Sequence, residues 1–256
     1  MFPFWDLIVA PLIDIVRPTR VVEIGALRGD TTARLLDQLG EAAELHVIDP
    51  APLFDPEDHE RRFPGRYVFH RDLSLNVLPT LPPVDLALID GDHNWYTVFN
   101  ELELLRRRAR EQSKPAPVLV LHDVSWPYGR RDGYYAPERI PFAYRQPNER
   151  RGLERGNAAL ADEGGLNTHI WNARTEGGPR NGVLTALEDF VAEHFPEFQH
   201  TVVDVFVGLA IGADRERLAA CPDLTAMLGR LATADATADL RRRAAAVASA
   251  TFATEP

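Results

Sequence analysis

The sequence has little cysteine, no long hydrophobic run and no excess of positive charge. A single cysteine, Cys221, excludes an internal disulfide bond and a zinc site built from several cysteines. No apolar run reaches the ~18 residues that a membrane-spanning helix requires, so we expect no membrane partner. The chain carries 28 lysines and arginines against 38 aspartates and glutamates, for a net charge of −10. Because this charge repels phosphate backbones, we expect no nucleic-acid partner.

The remaining composition is ordinary for a globular protein. The chain has 256 residues, of which 45% are hydrophobic and 26% charged. This length favours one large domain, or one domain with an appendage. With a single cysteine and an acidic surface, we expect a cytoplasmic protein whose partner is a small-molecule substrate.

Strand and helix patterns alternate over the first two thirds of the chain. Short apolar runs predict buried strands at residues 20–25, 45–49, 66–70, 84–90 and 118–121. Helical spacing of apolar residues predicts helices at residues 5–16, 30–39, 95–110 and 183–195. Residues 198–211 predict two further strands or a hairpin, and together these elements predict an α/β fold with a seven-stranded, mostly parallel sheet covered by helices on both faces. In such folds ligands bind at the carboxyl ends of the strands.

The regular alternation stops at residues 124–182, which are rich in glycine, proline, arginine and tyrosine. We interpret this segment as an insertion within a domain at residues 1–212, followed by a helical C-terminal tail at residues 213–256. Glycines inside the insertion permit hinge motion, so one hypothesis is a substrate lid. The alternative is a rigid surface excursion packed by its own aromatic residues. The tail could cap the domain or pair subunits, which makes a homo-oligomer plausible.

Acidic residues and glycines follow the first three predicted strands. Gly25 and Gly29 allow the backbone to turn tightly and approach a ligand. A dinucleotide-binding loop would begin with glycine where this sequence has Glu23, and the carboxylate of Glu23 would repel a pyrophosphate and attract an ammonium group. Asp49 ends the second strand, where an acid can accept hydrogen bonds from ribose hydroxyls, and Asp72 could reach an adenine edge. An ammonium, a ribose and an adenine together describe S-adenosylmethionine.

The segment Glu23-Ile24-Gly25-Ala26-Leu27-Arg28-Gly29 resembles the first motif of the class I methyltransferases, which reads E-x-G-x-x-x-G. The resemblance implies a Rossmann-like class I methyltransferase fold and S-adenosyl-L-methionine as cosubstrate. The residues then expected to bind this cosubstrate are Glu23, Gly25, Ala26, Gly29, Thr31, Asp49, Asp72 and Asp90. Asp30 or Thr31 is the expected N-cap of the following helix. The alternatives are solvated strand ends in another Rossmann-like protein, and a nicotinamide oxidoreductase, which Glu23 disfavours.

Aspartates and histidines follow the fourth and fifth predicted strands. If these strands are neighbours, they lie about 4.8 Å apart, and their ends can bring Asp90, His122 and Asp123 around one point. Two carboxylates and an imidazole can bind a divalent cation and leave positions open for substrate oxygens. His93, three residues after Asp90, could take a proton from a substrate hydroxyl.

The stretch from Asp90 to Glu101, with Leu121-His122-Asp123, is similar to methyltransferase family 24 and to the metal-dependent O-methyltransferases of catechols and of macrolide sugars. This resemblance implies methylation of a hydroxyl on a small molecule, such as a sugar or another secondary-metabolite moiety. It implies a metal, expected to be Mg²⁺, on Asp90, His122 and Asp123, with His93 as general base. His122 departs from the relatives, which carry a carboxylate there, so the metal's identity stays open.

Other interpretations of this group remain open. Its aspartates and histidines could merely cap helices or hydrogen-bond the loops. The enzyme could be a methyltransferase that uses His93 without a metal, or a module that binds S-adenosylmethionine without turnover. A facial triad for Fe(II) oxygenation is also conceivable, but the cosubstrate loop argues against it.

The insertion begins directly after the predicted metal ligands, so its first residues are candidates for substrate contact. Aromatic rings can stack on a ring or sugar face, and arginines can hold carboxylate or phosphate groups. The candidate residues are Trp126, Tyr128, Arg130, Tyr134, Tyr135 and, at the end of the insertion, Arg180.

Overall fold

The computed structural model describes residue 1, residues 4–233, residue 235 and residues 237–243. Its helices are α1 (Ala10–Val16), α2 (Asp30–Gln38), α3 (Pro56–Arg62), α4 (Ser74–Val77), α5 (Trp95–Glu111), α6 (Val183–Glu193), α7 (Arg215–Ala220) and α8 (Pro222–Leu231). The strands of its main sheet are β1 (Arg20–Ile24), β2 (Glu44–Ile48), β3 (Tyr67–His70), β4 (Leu86–Ile89), β5 (Val118–His122), β9 (Phe198–Val203) and β10 (Leu209–Asp214). Three further two- or three-residue strands lie in the insertion: β6 (Gly133–Tyr134), β7 (Asn148–Glu149) and β8 (Trp171–Ala173).

The main sheet has seven strands in the order β3-β2-β1-β4-β5-β10-β9. Strands β1 to β5 pair in parallel, whereas β10 runs antiparallel to both β5 and β9. The strand order reverses between β1 and β4, which pair directly. This topology is the Rossmann-like class I methyltransferase fold that the sequence predicts, with the switch point beside the glycine loop.

Both faces of the sheet are covered by apolar side chains. Every residue of β4 is buried, as expected of a central parallel strand. One core lies between the sheet and helices α1, α2 and α8, and a second lies between the sheet and helices α5 and α6. The burial of both faces fixes the strand register, so the side chains at the strand ends are held in defined positions.

The insertion carries a small sheet of its own, in the order β6-β8-β7. Arg131 and Tyr134 are almost completely buried within it. The guanidinium of Arg131 donates hydrogen bonds to the carbonyls of Ala158 and Ala173. The first part of the insertion is therefore well packed, as in the alternative of a rigid excursion.

The helix boundaries differ from the predictions in three places. The predicted helix at residues 5–16 begins as a π-helical turn, Trp5–Val9, before α1. The predicted N-cap of α2, Asp30 or Thr31, is wrong, because Gly29 occupies that position and makes no side-chain cap. The proline-rich residues 51–65, which predict a loop with one helical turn, contain the two-turn helix α3, whose N-cap Asp55 accepts a hydrogen bond from the Glu57 amide.

The predicted C-terminal tail is helical where the structure describes it. Helices α7 and α8 lie there, and Leu224, Met227 and Leu228 pack into the main core. This packing joins the start of the tail to the domain. The end of the predicted tail, residues 244–256, lies outside the described residues. Among the helices that are described, none combines the length and hydrophobicity needed to cross a bilayer.

Candidate active site

The loop after β1 is held by the carboxylate that ends β2. Oδ2 of Asp49 accepts hydrogen bonds from the amides of Ala26, at 2.9 Å, and Leu27, at 2.8 Å. Oδ1 of Asp49 accepts a third from the amide of Ala51, at 2.8 Å. Asp49 therefore fixes the shape of the loop and is largely buried.

Gly25 and Gly29 are required by the geometry of this loop. Both have positive φ, 83° and 78°, which side-chain-bearing residues rarely adopt. A Cβ at Gly25 would collide with the backbone of Asp90 and Gly91, so only glycine lets the loop lie against the end of β4. A Cβ at Gly29 would lie 3.1 Å from the ring of Phe54.

Glu23 lies at the head of the loop and is only 2% exposed. Its Oε2 accepts a hydrogen bond from the Thr32 hydroxyl at 2.6 Å, whereas its Oε1 is buried without a partner. Burial raises the pKa of Glu23 to about 8. A buried carboxyl oxygen without a donor is costly, and an ammonium group of a ligand would satisfy it. The unpartnered oxygen of Glu23 therefore suits a ligand that carries an amine, whereas both oxygens of Asp49, the predicted ribose acceptor, are taken by backbone amides.

The other residues predicted to bind the cosubstrate lie at this edge with less specific contacts. Ala26 is buried in the loop, and Thr31 lies in the first turn of α2. Asp72 is exposed, and its Oδ1 accepts hydrogen bonds from the side-chain amide of Asn76 at 2.9 Å and from the Leu73 amide at 2.7 Å. The hydrogen bond from Asn76, and to a smaller extent the one from Leu73, hold the pKa of Asp72 below its usual range.

The ends of β4 and β5 bring Asp90, His93, His122 and Asp123 together. His93 Nε2 lies 3.2 Å from Asp123 Oδ2. His122 Nδ1 lies 2.9 Å from the same oxygen of Asp123 and 3.2 Å from Asp90 Oδ1. Asp90 Oδ2 lies 3.2 Å from the α-amino group of Met1. The two histidines thus flank one carboxylate, and His122 connects it to the second.

This packing shifts the proton equilibria of the group. Burial lowers the pKa of His122, but Asp90 and Asp123 outweigh it and raise the value to about 9. Burial lowers the pKa of His93, but Asp123, Asp90 and Asp92 together outweigh it and raise the pKa above its ordinary value. Burial alone would raise the pKa of Asp123, but His93 and His122 hold it well below its usual range. Protonated His122 therefore compensates part of the carboxylate charge, and the α-amino group of Met1 compensates Asp90 further.

The residues at this edge offer ligand atoms for a divalent cation. Within the part of the chain that the structure describes, single ligand atoms of Asp90, His93 and Asp123 lie within 4.8 Å of one another. Two carboxylates and one imidazole suit a hard or borderline cation. The metal ligands predicted from the sequence were Asp90, His122 and Asp123, so this group contains His93 where His122 was expected. His122 instead directs Nδ1 at the two carboxylates, and its Nε2 is buried without a partner.

Tyrosines from the insertion enclose His93. The Tyr128 ring is parallel to the imidazole, with a centroid separation of 5.0 Å, and the Tyr135 ring lies tilted at 5.9 Å. Tyr128 is buried, and its hydroxyl accepts a hydrogen bond from Asn167 at 2.9 Å. Tyr135 is 60% exposed and so faces the solvent side of the histidine. The predicted tyrosines at 128 and 135 therefore do lie beside the predicted base.

Two other predicted substrate residues make contacts within the protein. Arg130 pairs with Glu188 on α6, at 2.7 Å between Nη2 and Oε1. Tyr134 is buried, and its hydroxyl donates to Asp132 Oδ2 at 2.6 Å. Both contacts occupy the polar atoms that were expected to meet substrate.

Trp126 and Arg180, the remaining two residues predicted to contact substrate, each take part in a cation–π contact within the protein. Trp126 is half-buried beneath the guanidinium of Arg155, which lies 4.6 Å from its ring. The Arg180 guanidinium lies 5.3 Å from the Trp95 ring and 5.1 Å from the Tyr144 ring. A cation held between two aromatic rings stabilises the protein itself.

Buried polar residues that the sequence did not single out lie behind the site. Glu101, on α5, is fully buried and accepts a hydrogen bond from the Ser74 hydroxyl. Burial raises the pKa of Glu101 to about 8. Asp132, in the insertion, is also fully buried. The sequence carried no signal for either, because burial of a single acid in a helix or loop leaves no periodic pattern.

A comparison of sequences identifies a known domain within this chain. Residues 22–124 match the sequence profile of a family described as a methyltransferase domain, methyltransferase family 24. No curated protein matches the chain in sequence. The match covers the glycine loop and the ends of β4 and β5, which carry the geometry above.

Solved structures resemble this chain at low sequence identity. The methyltransferase PaMTH1 of Podospora anserina, bound to S-adenosylhomocysteine, is 15% identical over 80% of this chain and 76% of its own, with a TM-score of 0.48. An O-methyltransferase of Bacillus cereus with S-adenosylhomocysteine is 14% identical over 84% and 82%, with a TM-score of 0.49. TomG of Streptomyces achromogenes, an O-methyltransferase of tomaymycin synthesis with S-adenosylmethionine, is 14% identical over 80% and 77%, with a TM-score of 0.45.

Proposed function

We propose that this S-adenosylmethionine-dependent methyltransferase, in which residues 22–124 match the sequence profile of a methyltransferase domain, transfers the methyl group to a hydroxyl oxygen of a small molecule. The observation that carries this proposal is the position of His93. Its imidazole lies 3.2 Å from the Asp123 carboxylate, at the same edge of the sheet as the glycine loop. A base is needed for transfer to a hydroxyl, which is a poor nucleophile until it loses its proton.

The cosubstrate would lie across the ends of β1, β2 and β4. Its amine would meet Glu23 Oε1, which is buried without a partner. Its ribose would meet the loop that Asp49 holds, with Gly25, Ala26 and Gly29 allowing close backbone approach. In this proposal Thr31 and Asp90 line the same pocket, and Asp72 remains the predicted contact to adenine.

The reaction would be an in-line displacement at the sulfonium methyl group. His93 accepts the proton of the substrate hydroxyl, and the oxygen forms a bond to the methyl carbon. The carbon–sulfur bond breaks, its electron pair stays on sulfur, and S-adenosylhomocysteine leaves as a neutral thioether. Alignment of the two partners contributes several kcal/mol to such a reaction. The proton on His93 then passes to solvent.

A divalent cation, proposed to be Mg²⁺, fits the same group of residues. Asp90 and Asp123 would hold it, with His122 as the nitrogen ligand, which leaves the imidazole of His93 uncoordinated. When bound, it would lower the pKa of a coordinated substrate hydroxyl. Because only one of the histidines can serve as base, we assign that role to His93, whose ring is stacked on Tyr128 beside the solvent-exposed Tyr135.

A metal-independent variant of the reaction is favoured by one observation. His122 Nδ1 lies within 3.2 Å of carboxylate oxygens of both Asp90 and Asp123, so an imidazolium can already compensate the charge that a metal would. In that case His93 acts alone as base.

The insertion is proposed to form the substrate side of the site. Tyr128 and Tyr135 offer aromatic faces next to His93, which suit a sugar ring or another flat moiety of a secondary metabolite. The exposed middle of the insertion, around residues 154–159, is the part that could close over substrate as a lid. The first turns of the insertion are packed too tightly to move separately.

A labelling experiment tests this function. The protein would be incubated with methyl-labelled S-adenosylmethionine, Mg²⁺ and a panel of catechols, glycosides and polyketide alcohols, with matched amines as controls. The expected product is a labelled methyl ether. Label on nitrogen or carbon acceptors only would contradict transfer to a hydroxyl. Tight binding of the cosubstrate with no transfer to any acceptor would favour a binding module without turnover.

A further inference from the structure

Asp132 lies at a junction between the insertion and two helices of the main domain. Its carboxylate is fully buried, with Oδ1 accepting hydrogen bonds from the Trp95 amide at 2.8 Å and the Gly182 amide at 2.7 Å. Oδ2 accepts a third from the Tyr134 hydroxyl at 2.6 Å. Trp95 is the first residue of α5, and Gly182 is the N-cap of α6. A buried carboxylate is tolerated only with such a set of donors, so its position is tightly defined.

The same segment is bonded to the backbone of His93. The Gly133 amide donates to the His93 carbonyl at 2.9 Å, and the Asp132 carboxylate binds the amide two residues later, at Trp95. Between them, Asn94 caps α5 by accepting a hydrogen bond from the Thr97 amide. Consecutive residues of the insertion therefore hold both sides of the turn that carries the His93 side chain.

Gly133 also admits the ring that lies against His93. A Cβ at Gly133 would lie 2.5 Å from Cε1 of Tyr128, which is closer than carbon atoms can approach. The absence of a side chain at this position lets Tyr128 lie parallel to the imidazole. The turn of His93 is thus fixed by hydrogen bonds, and its ring is fixed by stacking.

We propose that Asp132 is a positioning residue for His93, and that the first turns of the insertion serve as the support of the catalytic base. Asp132 does not contact the reacting atoms and acts through the turn at residues 93–95. The proposal rests on the role of His93 given under the proposed function. A neutral side chain at 132 weakens the bonds to the Trp95 and Gly182 amides and loses an acceptor for Tyr134. The imidazole then samples orientations that do not point at the substrate hydroxyl.

The first test reads the histidine directly and needs no activity. Proteins labelled with ¹³C-histidine would be compared by NMR, with the His93 ring signal assigned by its loss in His93→Ala. We expect Asp132→Asn to shift or broaden the His93 signal, and Tyr134→Phe to do so less. Glu163→Gln, a change at an exposed position of the insertion outside this junction, should leave it unchanged. An unchanged His93 signal in folded Asp132→Asn would overturn the proposal.

The second test is a double-mutant cycle on methyl transfer. We expect Asp132→Asn to lower kcat about 10- to 100-fold, as misplacement of a reacting group does, with S-adenosylhomocysteine affinity unchanged. In a His93→Ala background the same change should cost less than about twofold, because its effect passes through the imidazole. An equal loss in both backgrounds would show a general structural role and refute the proposal.

Gly133→Ala covers the case in which Asp132→Asn does not fold. It should shift the same NMR signal, since the added methyl group displaces Tyr128 from the imidazole. No shift in folded Gly133→Ala would contradict the supporting role of this segment. If no acceptor is methylated at all, the proposed function fails, whereas the NMR comparison still decides whether Asp132 positions His93.

Discussion

The imidazole ring of His93 lies parallel to the phenol ring of Tyr128, with an interplanar angle of 2° and a centroid separation of 5.0 Å. His93 lies between β4 and α5, whereas Tyr128 belongs to the insertion after β5. The stack therefore joins the main domain to the segment that is proposed to meet substrate. Because Tyr128 is itself held by Asn167 and Asn172, the orientation of His93 depends on the insertion.

Replacement of Asp49 tests the cosubstrate site. Asp49→Asn keeps the size of the side chain but removes the charge and one of the acceptor oxygens that bind the Ala26, Leu27 and Ala51 amides. We expect the Kd for S-adenosylhomocysteine, measured by calorimetry, to rise about tenfold, the equivalent of about 1.4 kcal/mol. Asp37→Asn, at an exposed position on α2, is the matched control and should change the Kd by less than about twofold. Equal losses in both variants would show a general effect of removing an aspartate charge, not a contribution of Asp49 to the site.

Removal of divalent cations tests the metal proposal. We expect EDTA to lower methyl transfer at least tenfold and Mg²⁺ to restore it. Mn²⁺ should give a calorimetric binding signal with the wild type and none with Asp123→Asn, because Asp123 is one of the two carboxylates proposed to hold the cation with His122. Full activity in EDTA together with no Mn²⁺ binding would support the metal-independent reaction.

The buried carboxyl group of Glu101 makes the stability of the protein depend on pH. Burial raises its pKa from an ordinary value of 4.5 to about 8, so between these pH values the folded state holds a proton that the unfolded state releases. The free energy of unfolding should therefore fall as pH rises through this window, by a few kcal/mol in total at about 1.4 kcal/mol per pKa unit. Glu23 contributes with the same sign, since its pKa is also raised to about 8.

Glu101→Gln should make this slope shallower, because glutamine has no proton to lose. Urea unfolding at pH 5, 6.5 and 8 measures it, with exposed Glu41→Gln as control. A wild-type stability that does not decline across this range would contradict the buried, protonated state of Glu101.

The fold was more predictable from the sequence than the partners of individual side chains. The parallel strands are buried on both faces, so runs such as residues 86–89 and 118–121 are continuously apolar and easily located. The edge at which Glu23, Asp49 and Asp90 meet followed from this topology. The two-residue strands of the insertion carry no periodicity, and nothing in the sequence shows that Asp132 is buried.

His122 illustrates the limit within the site itself. Its position after β5 placed it correctly beside Asp90 and Asp123. Strand position does not determine which ring nitrogen of His122 faces the two carboxylates. It also does not determine whether His93 or His122 completes a group of ligand atoms, because both depend on side-chain packing.

Limited proteolysis tests whether the insertion closes. Arg155 is exposed in the middle of the insertion, so trypsin should cut there in the free protein. We expect S-adenosylhomocysteine with the acceptor identified by labelling to slow this cut several-fold. Cleavage after Arg107, on the exposed face of α5, should not change. The same cutting rate at Arg155 with and without both ligands would exclude a lid.

The role of His93 as general base is tested most directly by single-turnover kinetics. The measured quantity is the rate at which wild type and His93→Ala transfer a labelled methyl group from S-adenosylmethionine to the acceptor. General-base catalysis contributes about 10² to 10⁴ in rate, so His93→Ala should be slower by at least about 100-fold while its affinity for S-adenosylhomocysteine is retained. Exposed His169→Gln, in the insertion, should match wild type. Equal rates of ether formation in wild type and His93→Ala would contradict His93 as the base.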